Sequence, residues 1–272
     1  MPRSKTLRIL IAGVVLFFIS AYFIVGYIRY LGRNYMVPIL MYHAVRAEVS
    51  RGARLIVSAK SFERQMGFLK ERHYNVISLE ELADMIKEKI KIPPKTIAIT
   101  FDDGYWDNYT YAYPVLKKYN LPATIFLITN EVDNMVGLRD KLTWENVILM
   151  QNSGLITFGS HSLSHRVLTQ IKSADDLKNE IFDSKRILEE KLGRKVNTFC
   201  YPKGVFNQQI KRIVKEAGYK VAVATSPGRG FSNEDVFALK RLRISEKSGN
   251  LFIFWVQISG YYSFIKEKPN GY

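Results

Sequence analysis

Short apolar and β-branched runs alternate with amphipathic stretches along most of this chain. Runs of this kind, four to six residues long and bounded by polar segments, predict strands. The predicted strands are Val37–Tyr42, Val76–Leu79, Thr96–Phe101, Ala123–Ile128, Leu155–Gly159, Thr198–Tyr201, Lys220–Thr225 and Leu239–Ile244.

Between the strands, apolar residues recur at helical spacing. Asp175–Gly193 has its apolar residues on one stripe and ends on glycine, and Asn207–Gly218 repeats this pattern after an asparagine cap. The late apolar segment Leu251–Phe264 is too short to span a bilayer comfortably, so we interpret it as a core-packing terminal helix, with attachment at a membrane interface as the alternative. Strands that alternate with helices pair in parallel through crossover connections, which predicts an α/β layered or barrel fold.

Four polar clusters follow predicted strands. They are Tyr42-His43, Asp102-Asp103-Gly104, Ser160-His161 and Pro202-Lys203-Gly204. In parallel α/β folds, chemistry gathers in the loops at the carboxyl ends of the strands. We therefore expect all four clusters to converge on one face of the domain.

The amino-terminal segment carries a separate signal. Residues 9–28 contain no charged side chain, and a helix of that length, rising about 1.5 Å per residue, crosses the roughly 30 Å hydrocarbon core of a bilayer. A cleavable signal peptide is the alternative, but it would have a shorter apolar stretch and a small-residue cleavage site. The flanking basic residues favour a cytoplasmic amino terminus. We predict a cytoplasmic terminus at 1–8, a transmembrane signal-anchor helix at 9–28, a linker at 29–35, an extracytoplasmic domain at 36–262 and a tail at 263–272.

The composition is that of a globular chain. Of its 272 residues, 47% are hydrophobic and 24% charged, which suits one large α/β domain with an appendage. The single cysteine, Cys200, excludes an intramolecular disulfide and a multi-thiolate zinc site, and its apolar surroundings predict a buried structural residue. Any metal chemistry must therefore use histidine and carboxylate ligands.

The charge of the chain is strongly positive. The formal net charge is +15, and the residues beyond position 35 contain 35 Lys and Arg against 25 Asp and Glu. Such a surface could lie against anionic lipids or acidic wall polymers, or could simply aid solubility. No nucleic-acid-binding motif accompanies the charge, so we do not expect nucleic acid as a partner.

Two histidines four residues apart, His161 and His165, could bind one ion together from a helical turn or a tight loop. By itself such a pair is more often structural. Asp102 and Asp103 strengthen the metal hypothesis, because two histidines and one carboxylate leave coordination positions open for water and substrate. Adjacent carboxylates on an extended backbone diverge, so one could ligate the ion while the other acts as a base; a turn or helix-capping pair is the structural alternative.

These residues carry a family resemblance. Thr100-Phe101-Asp102-Asp103-Gly104 and Ser160-His161-Ser162-Leu163-Ser164-His165 resemble the first two signature motifs of the polysaccharide deacetylases, the NodB-homology carbohydrate esterases of family 4. The opening Val37–Val45 and the later Phe199–Gly204 resemble the branch that deacetylates poly-N-acetylglucosamine. The similarity spans roughly residues 36–262.

The resemblance implies a fold and a set of roles. The fold is a distorted (β/α)7 barrel, in which Asp103, His161 and His165 hold a divalent ion, zinc or else cobalt or nickel. Asp102 is implied as the general base, and the backbone amide of Lys203 as the donor that stabilises the negative oxygen of the transition state. Side chains beside these motifs are assigned to substrate binding: Tyr105, Tyr201 and Pro202.

The resemblance is incomplete in two places. Many family members take the general acid from a histidine near the carboxyl terminus, but this chain has no histidine after His165. We assign His43 as the acid, by similarity to the branch with an amino-terminal Tyr-His pair. The arginine that often opens the third motif and the whole fourth motif are also missing, so Arg241 or Arg243 could orient Asp102 instead, and we select Arg243.

The expected function is metal-dependent removal of N-acetyl groups from an extracytoplasmic polysaccharide that contains N-acetylglucosamine: poly-N-acetylglucosamine, peptidoglycan or chitooligosaccharide. A membrane-tethered, non-catalytic carbohydrate-binding protein is the second hypothesis, since motif elements are missing and 13% aromatic residues would supply sugar-stacking surfaces. Hydrolysis of a different amide on the same scaffold is a third, because fold and metal determine the reaction type better than the substrate.

Overall fold

The structure, a computed structural model, describes residues 13–26, 36–49, 53–135, 140–225 and 235–260. The chain divides into two compact units, Met1–Met36 and Val37–Tyr272. In the first unit, the described residues 13–26 form a helix, α1. Within the described ranges no helix is both long and apolar enough to cross a membrane, and the two ends of the predicted span 9–28 lie outside them.

The second unit is built on a parallel sheet of nine strands. The strands of this unit are β1 Ile39–Tyr42, β2 Ala44–Arg46, β3 Ile56–Ser58, β4 Asn75–Ile77, β5 Thr96–Phe101, β6 Ala123–Leu127, β7 Ile156–Ser160, β8 Thr198–Cys200, β9 Val221–Ala224, β10 Leu239–Lys240 and β11 Leu242–Arg243. The order in the main sheet is β10-β9-β8-β7-β6-β5-β1-β11, and β4 pairs with the first half of β5. Strands β2 and β3 form a separate two-stranded sheet that the sequence pattern did not predict.

The two ends of this strand order almost meet. β10 pairs with β9 and β11 pairs with β1, yet a single residue, Arg241, separates β10 from β11 along the chain. The sheet is therefore a nearly closed parallel α/β barrel, as expected for the predicted barrel class. The predicted single strand Leu239–Ile244 is interrupted, because the buried side chain of Arg241 turns towards the site instead of following a regular strand.

Helices connect the strands and cover the sheet. They are α2 Ala59–Glu71, α3 Leu79–Lys87, α4 Tyr113–Tyr119, α5 Trp144–Asn152, α6 Ala174–Leu192, α7 Gln208–Glu216 and α8 Leu251–Gln257. The predicted boundaries of α6 and α7 are correct to within two residues: Asn207 caps α7 through the Ile210 N–H, and Gly193 ends α6 with φ 64°. The predicted strand Val76–Leu79 ends at Ile77, because Ser78 accepts a hydrogen bond from a backbone N–H and caps α3.

The core lies between the sheet and its helices. Every residue of β1, β5, β6 and β9 is buried, which is the pattern of parallel strands covered on both faces.

Helix α8 is less completely buried than these strands. Phe254 packs on Phe68 with ring centroids 6.1 Å apart, but the neighbouring Phe252 and Trp255 are exposed. The prediction of a core-packing helix is therefore correct for one side of α8 only, and residues 261–264 of that prediction lie outside the described residues.

Candidate active site

The two aspartates come directly after β5. The Asp102 N–H still donates to the Tyr42 carbonyl at 3.0 Å, so its backbone continues the sheet. Asp103 and Gly104 then adopt positive φ angles of 71° and 60°. A Cβ at position 104 would lie 2.6 Å from a methyl group of Leu127, so the turn requires glycine. Through this turn the two carboxylates point towards different groups, as the sequence predicted.

Asp102 is held by Arg241. The Arg241 Nη1 donates to Asp102 Oδ1 at 2.6 Å and Nη2 donates to Oδ2 at 2.7 Å, and both side chains are buried. Burial alone raises the pKa of Asp102, but the guanidinium outweighs burial and holds that pKa well below its usual range. A paired hydrogen bond of this geometry also fixes the plane of the carboxylate. Asp102 is consequently an oriented, ionised group at neutral pH.

The prediction that Arg243 orients Asp102 is wrong. Arg243 belongs to β11, is in register with Met41 of β1 and is exposed. Arg241 lies at the break between β10 and β11, where the chain leaves one edge of the sheet and joins the other. The interruption directs Arg241 into the barrel, and regular strand pairing keeps Arg243 outside it.

His43 follows β1 and lies beside Asp102. Its Nε2 is 3.9 Å from Asp102 Oδ2, and its side chain is 11% exposed. Burial lowers the pKa of His43, and the negative charge of Asp102 partly opposes this effect. The His43 carbonyl accepts a hydrogen bond from the Asn108 side chain at 2.8 Å, and Asp107 accepts the Val45 N–H at 3.0 Å. The segment after the Asp-Asp turn therefore fixes the position of His43.

Asp103 faces the two histidines that follow β7. Its Oδ1 lies 3.6 Å from His161 Nε2 and 3.7 Å from His165 Nε2. One ligand atom from each residue lies within 4.8 Å of the other two. The structure thus brings together the three residues predicted to bind a metal ion, although they come from two different strand ends.

The two histidines direct their Nε2 atoms towards Asp103. His161 Nδ1 lies 2.9 Å from the Cys200 carbonyl, which can only accept, so the ring donates Nδ1–H there and turns Nε2 towards Asp103. Burial lowers the pKa of His165 to about 4, which keeps this ring neutral at pH 7. Two imidazoles and one carboxylate therefore fit a divalent ion and leave room for water and substrate.

A second group of potential ligands consists of Asp102, His161 and Cys200. Its chemistry is less suitable for a metal ion. Arg241 donates to both Asp102 and the Cys200 Sγ, the latter at 3.1 Å, and burial raises the pKa of the thiol well above its ordinary value. A protonated thiol beside a guanidinium is a poor ligand. The group containing Asp103 is therefore the metal candidate, and Cys200 is buried as predicted.

Glu180 supports the histidine loop, a role that the sequence did not reveal. In this loop Ser162 and His165 have φ angles of 65° and 61°. Glu180, buried on α6, accepts the Ser164 N–H at 3.0 Å and the Ser164 hydroxyl, and its carbonyl accepts the Leu163 N–H at 3.0 Å. An acid on the apolar stripe of a helix was the available sequence signal.

Lys141 supports the Asp103 turn in a similar way. Its ammonium donates to the Asp103 carbonyl at 3.0 Å, pairs with Glu131 at 2.9 Å and lies 4.2 Å from the centre of the Tyr105 ring. The Lys141 side chain is buried, and nothing in the local sequence distinguishes it from the many surface lysines. Tyr105, predicted to bind substrate, lies half-buried next to Asp103.

The loop after β8 differs from its prediction. Tyr201 and Pro202 were assigned to substrate contact, but both side chains are buried. Tyr201 stacks on Phe206 at 4.2 Å between ring centroids, and its hydroxyl donates to the Phe237 carbonyl at 3.0 Å. Their role is to shape the loop. Lys203 lies in its tight turn with φ 58°, and the function of its backbone amide stays a prediction.

Carboxylate and histidine side chains gathered at the carboxyl ends of the strands occupy the usual active-site position of an α/β-barrel enzyme. The sequence model of the family described as polysaccharide deacetylase matches residues 89–222. YxkH of Bacillus subtilis, named as a candidate polysaccharide deacetylase, is 34% identical over 221 residues, which cover 81% of this chain and 76% of the relative. The chain belongs to the polysaccharide deacetylase family.

Two further comparisons agree. Poly-β-1,6-N-acetyl-D-glucosamine N-deacetylase of Staphylococcus aureus is 29% identical over 199 residues, which cover 70% of this chain and 68% of the relative. The solved structure of the Streptococcus pyogenes deacetylase PplD, in complex with acetate, has a TM-score of 0.71 and 30% identity, and the match covers 86% of this chain and 99% of that one. The protein is therefore an N-deacetylase hydrolase, which disfavours the non-catalytic alternative.

Proposed function

We propose that this enzyme removes N-acetyl groups from an N-acetylglucosamine polysaccharide outside the cytoplasm, with a divalent ion, preferably zinc, at its active site. The observation that carries the proposal is the Asp103–His161–His165 group beside the Arg241-bound Asp102. The Staphylococcus aureus relative is named for poly-β-1,6-N-acetyl-D-glucosamine, which supports a polymer of this class as the substrate.

The residues of the site divide the reaction between them. Asp103, His161 and His165 would hold the ion, which when bound polarises the acetamide carbonyl and lowers the pKa of its water towards about 7. Asp102, oriented by Arg241, receives the proton of the attacking water. His43, beside Asp102, delivers a proton to the nitrogen that leaves as the sugar amine.

A backbone donor completes this assignment. Attack on the carbonyl builds negative charge on its oxygen, and a preorganised N–H aimed at that oxygen stabilises the transition state. The Lys203 amide, in the turn after β8, is assigned to this task. Tyr105, next to Asp103, is the side chain assigned to contact with the sugar.

The activity is tested by the release of acetate from three polymers. The full chain, purified in detergent, is supplied with zinc, cobalt or nickel and incubated with poly-N-acetylglucosamine, chitooligosaccharides or peptidoglycan. We expect acetate and an equal amount of new amine from at least one polymer, and roughly 10²–10⁴-fold slower release from the Asp102→Asn variant. Absence of release from all three polymers with all three ions contradicts the proposal.

The location is a separate part of the proposal. The apolar segment 9–28 is proposed to anchor the domain in a membrane, with residues beyond position 35 on the outer side. Protease added to intact cells whose outer layers are permeable to it should then cleave the domain from the membrane fraction. Full protection of the domain, with cleavage only after lysis, places it inside and overturns this assignment.

A further inference from the structure

Helix α8 exposes most of its apolar surface. Six of its seven residues are apolar, and among these six only Phe254 is buried. Phe252 is 69% exposed, Ile253 42% and Trp255 50%. The Phe252 and Trp255 rings lie 5.9 Å apart and form a continuous aromatic ridge. An apolar ridge of this kind on the surface of a folded domain marks a surface that contacts something else.

Two basic side chains lie along one side of this ridge. A groove of about 560 Å³ runs beside Phe252 and Trp255. Arg72 lies over the Phe68 ring at 5.8 Å, and Lys95 lies over the Tyr74 ring at 5.8 Å. Among the described residues that line the groove, Glu71 is the one acid against these two cations. Positive charge at the edge of an apolar surface suits an anionic lipid interface.

This surface lies at the end of the barrel opposite the active site. Tyr74 precedes β4 and Lys95 precedes β5, and the Asn75 N–H donates to the Lys95 carbonyl at 3.0 Å. They are therefore at the amino ends of the parallel strands, whereas the site residues follow the carboxyl ends. The chain also enters the domain at this end, since the Pro38 carbonyl before β1 accepts the Ala98 N–H of β5 at 3.1 Å.

We propose that Phe252, Ile253 and Trp255, with Arg72 and Lys95, form a surface that docks on an anionic lipid bilayer, and we call it the α8 surface. Aromatic side chains favour the interfacial region of a bilayer, and each basic residue near anionic lipid contributes attraction. With the α8 surface on lipid, the carboxyl ends of the strands face away from the bilayer towards the polymer.

Two other occupants fit less well. Aliphatic Ile253, which is 42% exposed, extends the ridge beyond the two rings, and such aliphatic surface suits lipid better than the hydroxyl groups of a sugar. A second copy of this chain would bring the same basic groups against one another, and beyond position 35 the chain has ten more basic than acidic residues. Anionic lipid complements both the apolar ridge and its charge.

Tryptophan fluorescence in vesicles tests the proposal with the full chain. The protein has three tryptophans, Trp106, Trp144 and Trp255, and none lies in the first 36 residues, so insertion of the amino-terminal segment alone gives no signal. The chain is reconstituted in phosphatidylglycerol vesicles that contain brominated phosphatidylcholine, which quenches tryptophan at the interface. We expect strong quenching in the wild type and in the matched control Trp144→Phe, and loss of most of it in Trp255→Phe.

Charge provides the second arm of the experiment. The quenching of Trp255 reports the fraction of domain that is docked. Arg72→Gln and Lys95→Gln should each lower the ratio of docked to undocked domain about fivefold, which corresponds to ~1 kcal/mol per basic residue. Lys178→Gln, an exposed lysine on α6, should leave the ratio unchanged. Acetate release from soluble oligosaccharide should be the same in every variant, which shows that the domain is folded and separates this test from that of the catalytic proposal.

Several results would overturn the α8 surface as a lipid contact. Quenching that persists in Trp255→Phe places the contact elsewhere. Equal quenching in vesicles of phosphatidylcholine alone removes the role of anionic lipid. Relief of quenching by added oligosaccharide assigns the ridge to sugar, and a dimer that Trp255→Phe dissociates assigns it to a second copy of the chain.

Discussion

Asp102 and Asp103 are adjacent in the chain, but their surroundings are opposite in kind. Asp102 is buried, and both of its carboxylate oxygens accept hydrogen bonds from Arg241; the Nε2 atom of His43 lies 3.9 Å away. Asp103 is partly exposed, and its carboxylate faces two imidazole nitrogens at 3.6 and 3.7 Å. The first carboxylate is neutralised by a side chain of the protein, and the second is arranged to bind a cation together with the two histidines.

The difference shows how one short motif supplies two functions. A carboxylate locked to a guanidinium is oriented but has little freedom to bind an ion. A carboxylate facing two histidine nitrogens is a ligand set suited to a divalent ion. The left-handed turn at Asp103 and Gly104 creates the separation, because it sends the second side chain away from the first.

The largest expected effect comes from disrupting the ligand group of Asp103, His161 and His165. His161→Ala removes one of three ligands, so the ion should be lost and acetate release should fall roughly 10³-fold or more, since an ion contributes several kcal/mol to the transition state. Bound metal by mass spectrometry and kcat/KM measure the two effects. His73→Ala, at an exposed position, is the control and should change neither. Full metal content in His161→Ala would rule out this ligand set.

Arg241→Met disrupts the pair of Arg241 and Asp102. It leaves Asp102 buried without its partner, which should lower the free energy of unfolding by about 3–5 kcal/mol. In the wild type the depressed pKa of Asp102 means that the pair stabilises the fold above the unfolded pKa of about 3.9, and that this stability is lost only as pH falls towards the folded pKa. In the variant the pKa of Asp102 rises, so the acid limb of kcat/KM should move to higher pH.

Arg243→Met is the matched control for this prediction. It removes the same side chain from an exposed position two residues away, so stability should change by less than about 0.5 kcal/mol. Urea unfolding and a pH profile between 4 and 9 supply the measurements. If the acid limb of Arg241→Met coincides with that of the wild type, Asp102 is not the group that Arg241 keeps ionised for catalysis.

A smaller effect is expected from Glu180→Gln. The substitution keeps the shape of the side chain but removes the charge that holds the Ser164 N–H and hydroxyl, so the histidine loop should be less well positioned. Metal affinity should fall about 10–100-fold, with Asp102 and its ion pair unaffected. Glu190→Gln on the exposed face of the same helix should leave affinity unchanged. Calorimetric titration with zinc distinguishes the two variants.

The smallest effect is expected from Cys200→Ala. Cys200 belongs to the alternative ligand group with Asp102 and His161, but its thiol is protonated and lies against Arg241. The variant should bind the ion with wild-type stoichiometry and lose only about 1 kcal/mol of stability. Loss of the ion in this variant would assign the metal to the group of Asp102, His161 and Cys200 instead of the group that contains Asp103.

The sequence predicted the parts of the structure that depend on local pattern. Parallel strands, the start and end of β5, and the caps of α6 and α7 follow from periodicity and from residues such as Asn207 and Gly193. The convergence of the four polar clusters follows from one topological rule about strand ends. These features need no knowledge of which distant residues pack together.

The remaining features depend on distant partners. Arg241 and Arg243 are equivalent in sequence spacing, and only the break between β10 and β11 decides which one enters the barrel. The sequence does not distinguish Lys141 from the other lysines, and only the structure shows that its ammonium donates to the Asp103 carbonyl. Tyr201 lies within a motif whose side chains were assigned to substrate contact, but its ring is stacked on Phe206. Tertiary packing, rather than local pattern, determines each of these roles.

The most direct test of the division of labour compares Asp102→Asn with Asp103→Asn. Both substitutions remove one negative charge and keep the shape of the side chain, so their difference reports position alone. We predict that Asp102→Asn binds one zinc ion per chain while acetate release falls roughly 10²–10⁴-fold, and that Asp103→Asn loses the ion. Equal loss of zinc in the two variants would contradict the assignment of Asp103 as ligand and Asp102 as base.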